Sequence, residues 1–197
     1  MTNIADHCQF KLPGWVGPFL ADWPELLPST GERMRLAIAL SRESVLKETG
    51  GPFGALVVDE RDGRLVSVGV NLVTTAGLSA AHAEIVALSL AQTATGHWNL
   101  SQTGELQLVT SCEPCAMCFG ALPWSGINSL ACGARKQDAE EAGFDEGERP
   151  TEWVGALRRR GIKVERDVMR EEAASVLKYY QDSGGPIYNA TCGRDGA

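Results

Sequence analysis

Apolar positions recur at helical spacing over 31–48, where Met34, Ile38 and Val45 stand among leucines and alanines. That period predicts a helix. Thr30 is placed to cap it, and Gly50-Gly51-Pro52 ends it. Two apolar runs follow, 54–59 and 64–70, joined by Glu60-Arg61-Asp62-Gly63. An Asp-Gly pair between such runs predicts a hairpin. Beyond a loop of small residues at 74–80, the stretch 82–95 reads as a helix with Ile85, Val86, Leu88 and Leu90 on its apolar side. Strands are predicted at 105–110, 127–133 and 162–165, and helices at 115–122, 137–142, 151–160 and 170–180. Pro114 suits the start of the first of these four helices, because the first helical turn has no use for the missing N–H.

Strands alternating with helices predict a layered α/β domain around a mixed sheet. Residues 1–30 are rich in Pro, Trp and Phe and show little periodicity. They read as an irregular arm packed over a domain at 31–181, with a Gly-rich polar tail at 182–197. No apolar run reaches the ~20 residues that span a bilayer. The N-terminus lacks a basic stretch followed by an apolar one, so no secretory signal and no membrane partner are expected. A cytoplasmic location follows.

Charge narrows the partners. With 197 residues, a formal net charge of −7 and a pI near 5.0, the chain is a poor match for a phosphate-tracking surface, which is normally basic. A small-molecule substrate is therefore expected in preference to a nucleic acid. The six cysteines include Cys112, Cys115 and Cys118 within seven residues. A disulfide scaffold would be shorter and denser in cysteine, whereas clustered thiolates in a reduced compartment suit a metal.

Cys115-Ala-Met-Cys118 opens a helix, and a helix N-terminus favours thiolates. Alone, this spacing is ambiguous between zinc, an iron–sulfur centre and a redox dithiol. His82-Ala83-Glu84, at the start of another helix, adds an imidazole from a separate element. His82, Cys115 and Cys118 then make three protein ligands, the number that leaves a catalytic Zn²⁺ one position for water; a structural zinc would need a fourth. Glu84 stands two residues from His82, near enough to exchange protons with that water without being a ligand. The pattern H-x-E…P-C-x-x-C is the signature of zinc nucleobase deaminases.

Over about 31–146 the sequence resembles the cytidine deaminase superfamily. Its guanine deaminase and tRNA adenosine deaminase branches share His-Ala-Glu and Glu-Pro-Cys-x-Met-Cys with 82–84 and 113–118. Gly50-Gly51-Pro52-Phe53-Gly54-Ala55, Gly69-Val70-Asn71 and the stretch from Arg135-Lys136-Gln137-Asp138-Ala139 to Ala142-Gly143-Phe144-Asp145-Glu146 look like the guanine deaminases in particular. Glu146 stands where that family usually has a second Asp. The resemblance implies a three-layer α/β/α cytidine deaminase-like fold with a five-stranded mixed sheet. It also implies a homodimer whose C-terminal segment exchanges between subunits, with Tyr188 as the closing aromatic.

The expected reaction is hydrolysis of guanine to xanthine and ammonia. Glu84 shuttles the protons, with Glu146 or else Glu148 as a second acid that accepts from ring N–H groups. Asn71 can both donate and accept, which suits a base edge. Ala83 lies between the two functional residues of its motif and is included among the substrate contacts. Phe53, Trp98 and Trp124 are candidate stacking walls. The alternatives are a tRNA adenosine deaminase, a deaminase of another small heterocycle (cytosine, a nucleoside, an amino-triazine), and a zinc protein that only binds a partner.

Overall fold

A computed structural model describes residues 4–189. Within the N-terminal arm it places a short helix, α1 (Val16–Ala21), whose Val16 is buried. The long helix α2 (Thr30–Leu46) is capped by Ser29 and not by Thr30. Ser29 and Glu32 exchange hydrogen bonds in a capping box, so the Ser-x-x-Glu spacing decides the start.

Strands β1 (Gly54–Asp59) and β2 (Leu65–Val70) form the predicted hairpin. A one-turn helix α3 (Val73–Ala76) and then helix α4 (Ala83–Thr95) follow. Next come β3 (Leu106–Cys112), α5 (Ala116–Ser125), β4 (Ser129–Ala134) and α6 (Lys136–Glu141). The described chain ends with α7 (Trp153–Arg158), β5 (Lys163–Glu165), α8 (Arg170–Asp182) and an extended segment to Asn189.

The strands make one five-stranded sheet in the order β2-β1-β3-β4-β5. The hairpin and the β1–β3 pair are antiparallel, and β3–β4 and β4–β5 are parallel. β1, β3 and β4 are buried throughout. Such strands read as continuous apolar runs because both faces are covered. Successive residues of β1 alternate between the two cores. Ala55 and Val57 pack with Leu88 and Leu122 of α4 and α5, while Leu56 and Val58 pack with Met34 and Leu40 of α2. Helices α2 and α8 thus cover one face and α4, α5 and α7 the other, giving the three-layer α/β/α sandwich.

Candidate active site

Two helix N-termini meet at one end of the sheet. His82 is the N-cap of α4 and Cys115 the N-cap of α5. His82 Nδ1 lies 3.5 Å from Cys115 Sγ, and Cys115 Sγ accepts from the Cys118 amide at 3.5 Å. One ligand atom from each of His82, Cys115 and Cys118 falls within 4.8 Å of the others. Among the described residues Cys112 is not part of this group; its thiol faces the Arg135 carbonyl at 3.6 Å. Two thiols and an imidazole at that spacing are the donor set of a catalytic zinc, and they fit Zn²⁺.

Electrostatics agree with a cation site. The hydrogen bond from Cys118, helped by His82, draws the Cys115 thiol down to about 4, and the same bond together with burial pushes Cys118 well up. Burial acts to lower His82, but the bond to Cys115 and the carboxyl groups of Glu84 and Glu146 carry it above its ordinary value. Burial, and then the charge of Cys115, raises Glu84 to about 7 and Glu146 to about 8. Acidic groups crowded in a closed space favour a cation among them, which would in turn hold both thiols ionised.

A cavity of about 150 Å³ opens beside these ligands. Glu84 lines it and is only 6% exposed. Asn71, at the end of β2, is held by two bonds. Its amide N–H donates to the Phe53 carbonyl at 3.1 Å, and its side-chain oxygen accepts from the Val73 amide at 3.2 Å. That bond occupies the side-chain oxygen, and Asn71 Nδ2 is left a buried donor without a hydrogen-bond partner in a residue that lines the cavity. Phe53 meets Phe144 edge-on at 4.9 Å, and both line the cavity. Glu146 reaches it from the loop after α6, whose backbone is tied to α5 by the Ala116 amide bonding the Glu146 carbonyl at 2.9 Å.

The C-terminal segment covers this end in the single chain. Tyr188 packs on Phe144 with ring centroids 5.3 Å apart, and its buried hydroxyl also lacks a partner. Asn189 straps the segment down, accepting from the Asp145 amide at 3.0 Å and donating to the Gly143 carbonyl at 3.0 Å. Gly51 is required beneath the ring, since a Cβ there would lie 2.1 Å from the Tyr188 hydroxyl. The expected exchanging tail beyond Asn189 lies outside the described residues.

Other candidates fall elsewhere. Trp98 is 76% exposed and Trp124 80% exposed, and within one chain neither lines the cavity. An aromatic residue is read as core or site by default, and these two are surface. Glu148 is exposed and outside the lining, whereas Glu146, two residues earlier, points inward. Ala83 is fully buried, because α4 rests directly on Gly69 of β2, and it does not face the cavity. Glu113, Asp145 and Asn189 also line the cavity, and none of them has a local sequence signal that assigns it a role there. Glu113 opens the Glu-Pro-Cys motif, and its carboxylate is 1% exposed and paired with Arg149 and Arg166.

Residues 29–134 match the family model for the cytidine and deoxycytidylate deaminase zinc-binding region. The guanine deaminase of Bacillus subtilis (strain 168) is 41% identical over 113 residues, spanning 57% of this chain and 69% of that one. Among solved structures, the guanine deaminase from Nitrosomonas europaea is similar with a TM-score of 0.84 at 42% identity, over 91% of this chain and 98% of that chain. NE0047 in complex with 2,6-diaminopurine is similar with a TM-score of 0.84 at 44% identity, over 95% of this chain and 99% of that chain.

Proposed function

This chain belongs to the cytidine and deoxycytidylate deaminase family, and on that premise we propose that it is a zinc-dependent aminohydrolase converting guanine to xanthine and ammonia. The observation that carries the substrate is the orphaned donor of Asn71 beside the buried carboxyl of Glu146 in one small cavity. Guanine presents carbonyl and ring-nitrogen acceptors together with ring N–H donors, so one edge can accept from Asn71 while another donates to Glu146. A buried donor left unpaired costs about 1–3 kcal/mol, which a ligand acceptor recovers on binding. The cavity volume of about 150 Å³ suits a single planar heterocycle and is well below the roughly 300–1,000 Å³ of sites for larger ligands.

His82, Cys115 and Cys118 would hold the zinc. When bound, it supplies Lewis acidity that brings the pKa of water to about 7. Glu84 takes a proton at its carboxylate and delivers it to a ring nitrogen. A C–O bond forms at C2, the carbon bearing the amino group. Glu84 then takes the proton of the new C2 hydroxyl and donates it to the departing nitrogen as the C–N bond breaks and the C2 carbonyl forms, so one carboxyl acts as base and as acid in turn. Phe53 and Phe144 wall the ring, and Tyr188 closes the site against water.

Ammonia release should be measured over guanine, cytosine, adenine, guanosine, cytidine and aminated triazines, with a gel-shift assay on tRNA alongside. Guanine is expected to react fastest, and Asn71→Ala to raise KM for it at least about tenfold through loss of one buried hydrogen bond. A protein inert to guanine that deaminates a nucleoside, or one that retards and deaminates tRNA, overturns the substrate assignment.

We also propose a homodimer in the cytoplasm. Helix α5 carries no charged residue, and its outer side exposes Met117 and Trp124. Trp98 lies near the end of the same helix, since the following turn packs so tightly on Asn99 that a Cβ on Gly126 would lie 2.1 Å from Asn99 Oδ1. An exposed tryptophan on a charge-free helix, with a second one near its end, marks a protein-facing surface. Sedimentation at micromolar concentration should give a dimer for the wild type and a monomer for Trp124→Lys. A monomeric wild type removes the proposal. The compartment rests on the need to keep clustered thiols reduced; among the described residues no helix is long and apolar enough to cross a membrane.

A further inference from the structure

One side chain outside the ligand set fastens the loop of Glu146 to the turn that carries Cys115. Arg149 donates to the Pro114 carbonyl at 2.7 Å and to the Glu113 carboxylate. Its guanidinium lies over the Trp153 ring, 4.4 Å from the centroid, and its side chain is only 7% exposed. Pro114 immediately precedes the ligand Cys115, and Arg149 stands three residues after Glu146. The clamp therefore runs from the acid's loop to the metal's turn.

The charges separate positioning from neutralisation. A buried carboxylate needs a partner, and Glu113 already has one in Arg166, whose Nε donates to it at 2.7 Å. The Lys136 amide adds a further bond at 3.2 Å. Arg149 is thus not the sole counter-ion of Glu113, and its bond to the Pro114 carbonyl serves geometry. The rest of the loop is held more locally, by Lys136 Nζ on the Gly147 carbonyl at 2.6 Å and by the Ala116 amide on the Glu146 carbonyl at 2.9 Å.

We propose that Arg149 is a positioning residue for the deamination, holding Glu146 in register with the metal-bearing end of α5. It acts through Glu146, and so rests on the reading that Glu146 meets the substrate. A misplacement near 1 Å in such a constellation costs on the order of 100-fold in rate.

The test is a double-mutant comparison in the zinc-loaded enzyme: Arg149→Ala and Arg149→Lys, each with Glu146 intact and with Glu146→Gln. The readouts are kcat and KM on the best nucleobase of the screen, zinc content, and amide hydrogen exchange at Ala116. With Glu146 present, Arg149→Ala should keep its zinc, lose kcat about 10- to 100-fold and speed exchange at Ala116. In the Glu146→Gln background the same change should cost less than about threefold, because the two act as a unit. Lysine keeps the charge without the planar fork and should recover only part of the rate; if the alanine variant does not fold, the lysine pair carries the same comparison. Equal losses in both backgrounds, unchanged kcat, or loss of zinc in step with activity overturns the clamp. Should Glu146→Gln alone prove silent, the role of Glu146 fails, and unaltered exchange at Ala116 in Arg149→Ala then overturns the clamp independently.

Discussion

Replacing Glu84 with glutamine is expected to leave zinc bound and to reduce guanine turnover by about 10³-fold or more, within the range that general acid–base catalysis contributes. Glutamine preserves the volume and the first turn of α4, where Glu84 sits 6% exposed. What it removes is the capacity to take up and return a proton. Burial and then the charge of Cys115 raise this carboxyl to about 7; a bound cation would draw it down again and favour the ionised base. Ammonia release and zinc stoichiometry should be measured on one preparation. Turnover retained with zinc in place would rule out the shuttle, while zinc lost together with turnover would make Glu84 a support for the ligands.

The residues with the most chemistry were the ones most legible in the sequence. His82, Glu84, Cys115 and Cys118 fall in two short motifs, each at a helix start that Pro114 or an apolar period announces. Helix N-termini are local features, so a local pattern can locate them. The sheet was legible for a similar reason, since β1, β3 and β4 are buried on both faces and read as unbroken apolar runs. What failed to show were long-range partnerships. Nothing near Glu113 announces Arg149 and Arg166, 36 and 53 residues away. The outward position of Trp124 is not legible because α5 has no charged face to orient it, so periodicity gives no outward direction. The loop acids were separable only in three dimensions: Glu146 turns inward with its carbonyl held by Ala116, and Glu148 faces solvent.

The glycines flanking the motifs carry information of another kind, and one of them sets the largest structural effect. Gly69→Ala is expected to destabilise the protein by about 3 kcal/mol, at the upper end for overpacking. A Cβ at Gly69 would stand 2.1 Å from the Ala83 carbonyl oxygen and 2.6 Å from the Ala87 amide nitrogen. Both are backbone atoms, which cannot rotate aside as a side chain would, so α4 must lift from β2. The lift falls on the start of α4, where His82 Nδ1 faces Cys115 Sγ across a 3.5 Å gap and Glu84 sits in the first turn. The melting temperature should therefore drop by roughly 6–12 °C, at about 2–4 °C per kcal/mol for a chain of this size, and zinc affinity should fall with it. Gly31→Ala is the matched control. That glycine lies in α2 with nothing within 4 Å of a Cβ, so alanine there should be neutral or stabilising by up to about 1 kcal/mol. Opposite signs at the two positions, read by thermal unfolding with and without zinc, would show that close contact between sheet and helix places the metal ligands. A Gly69→Ala variant that melts with the wild type would show that α4 can shift without cost, and that His82 is held by the metal alone.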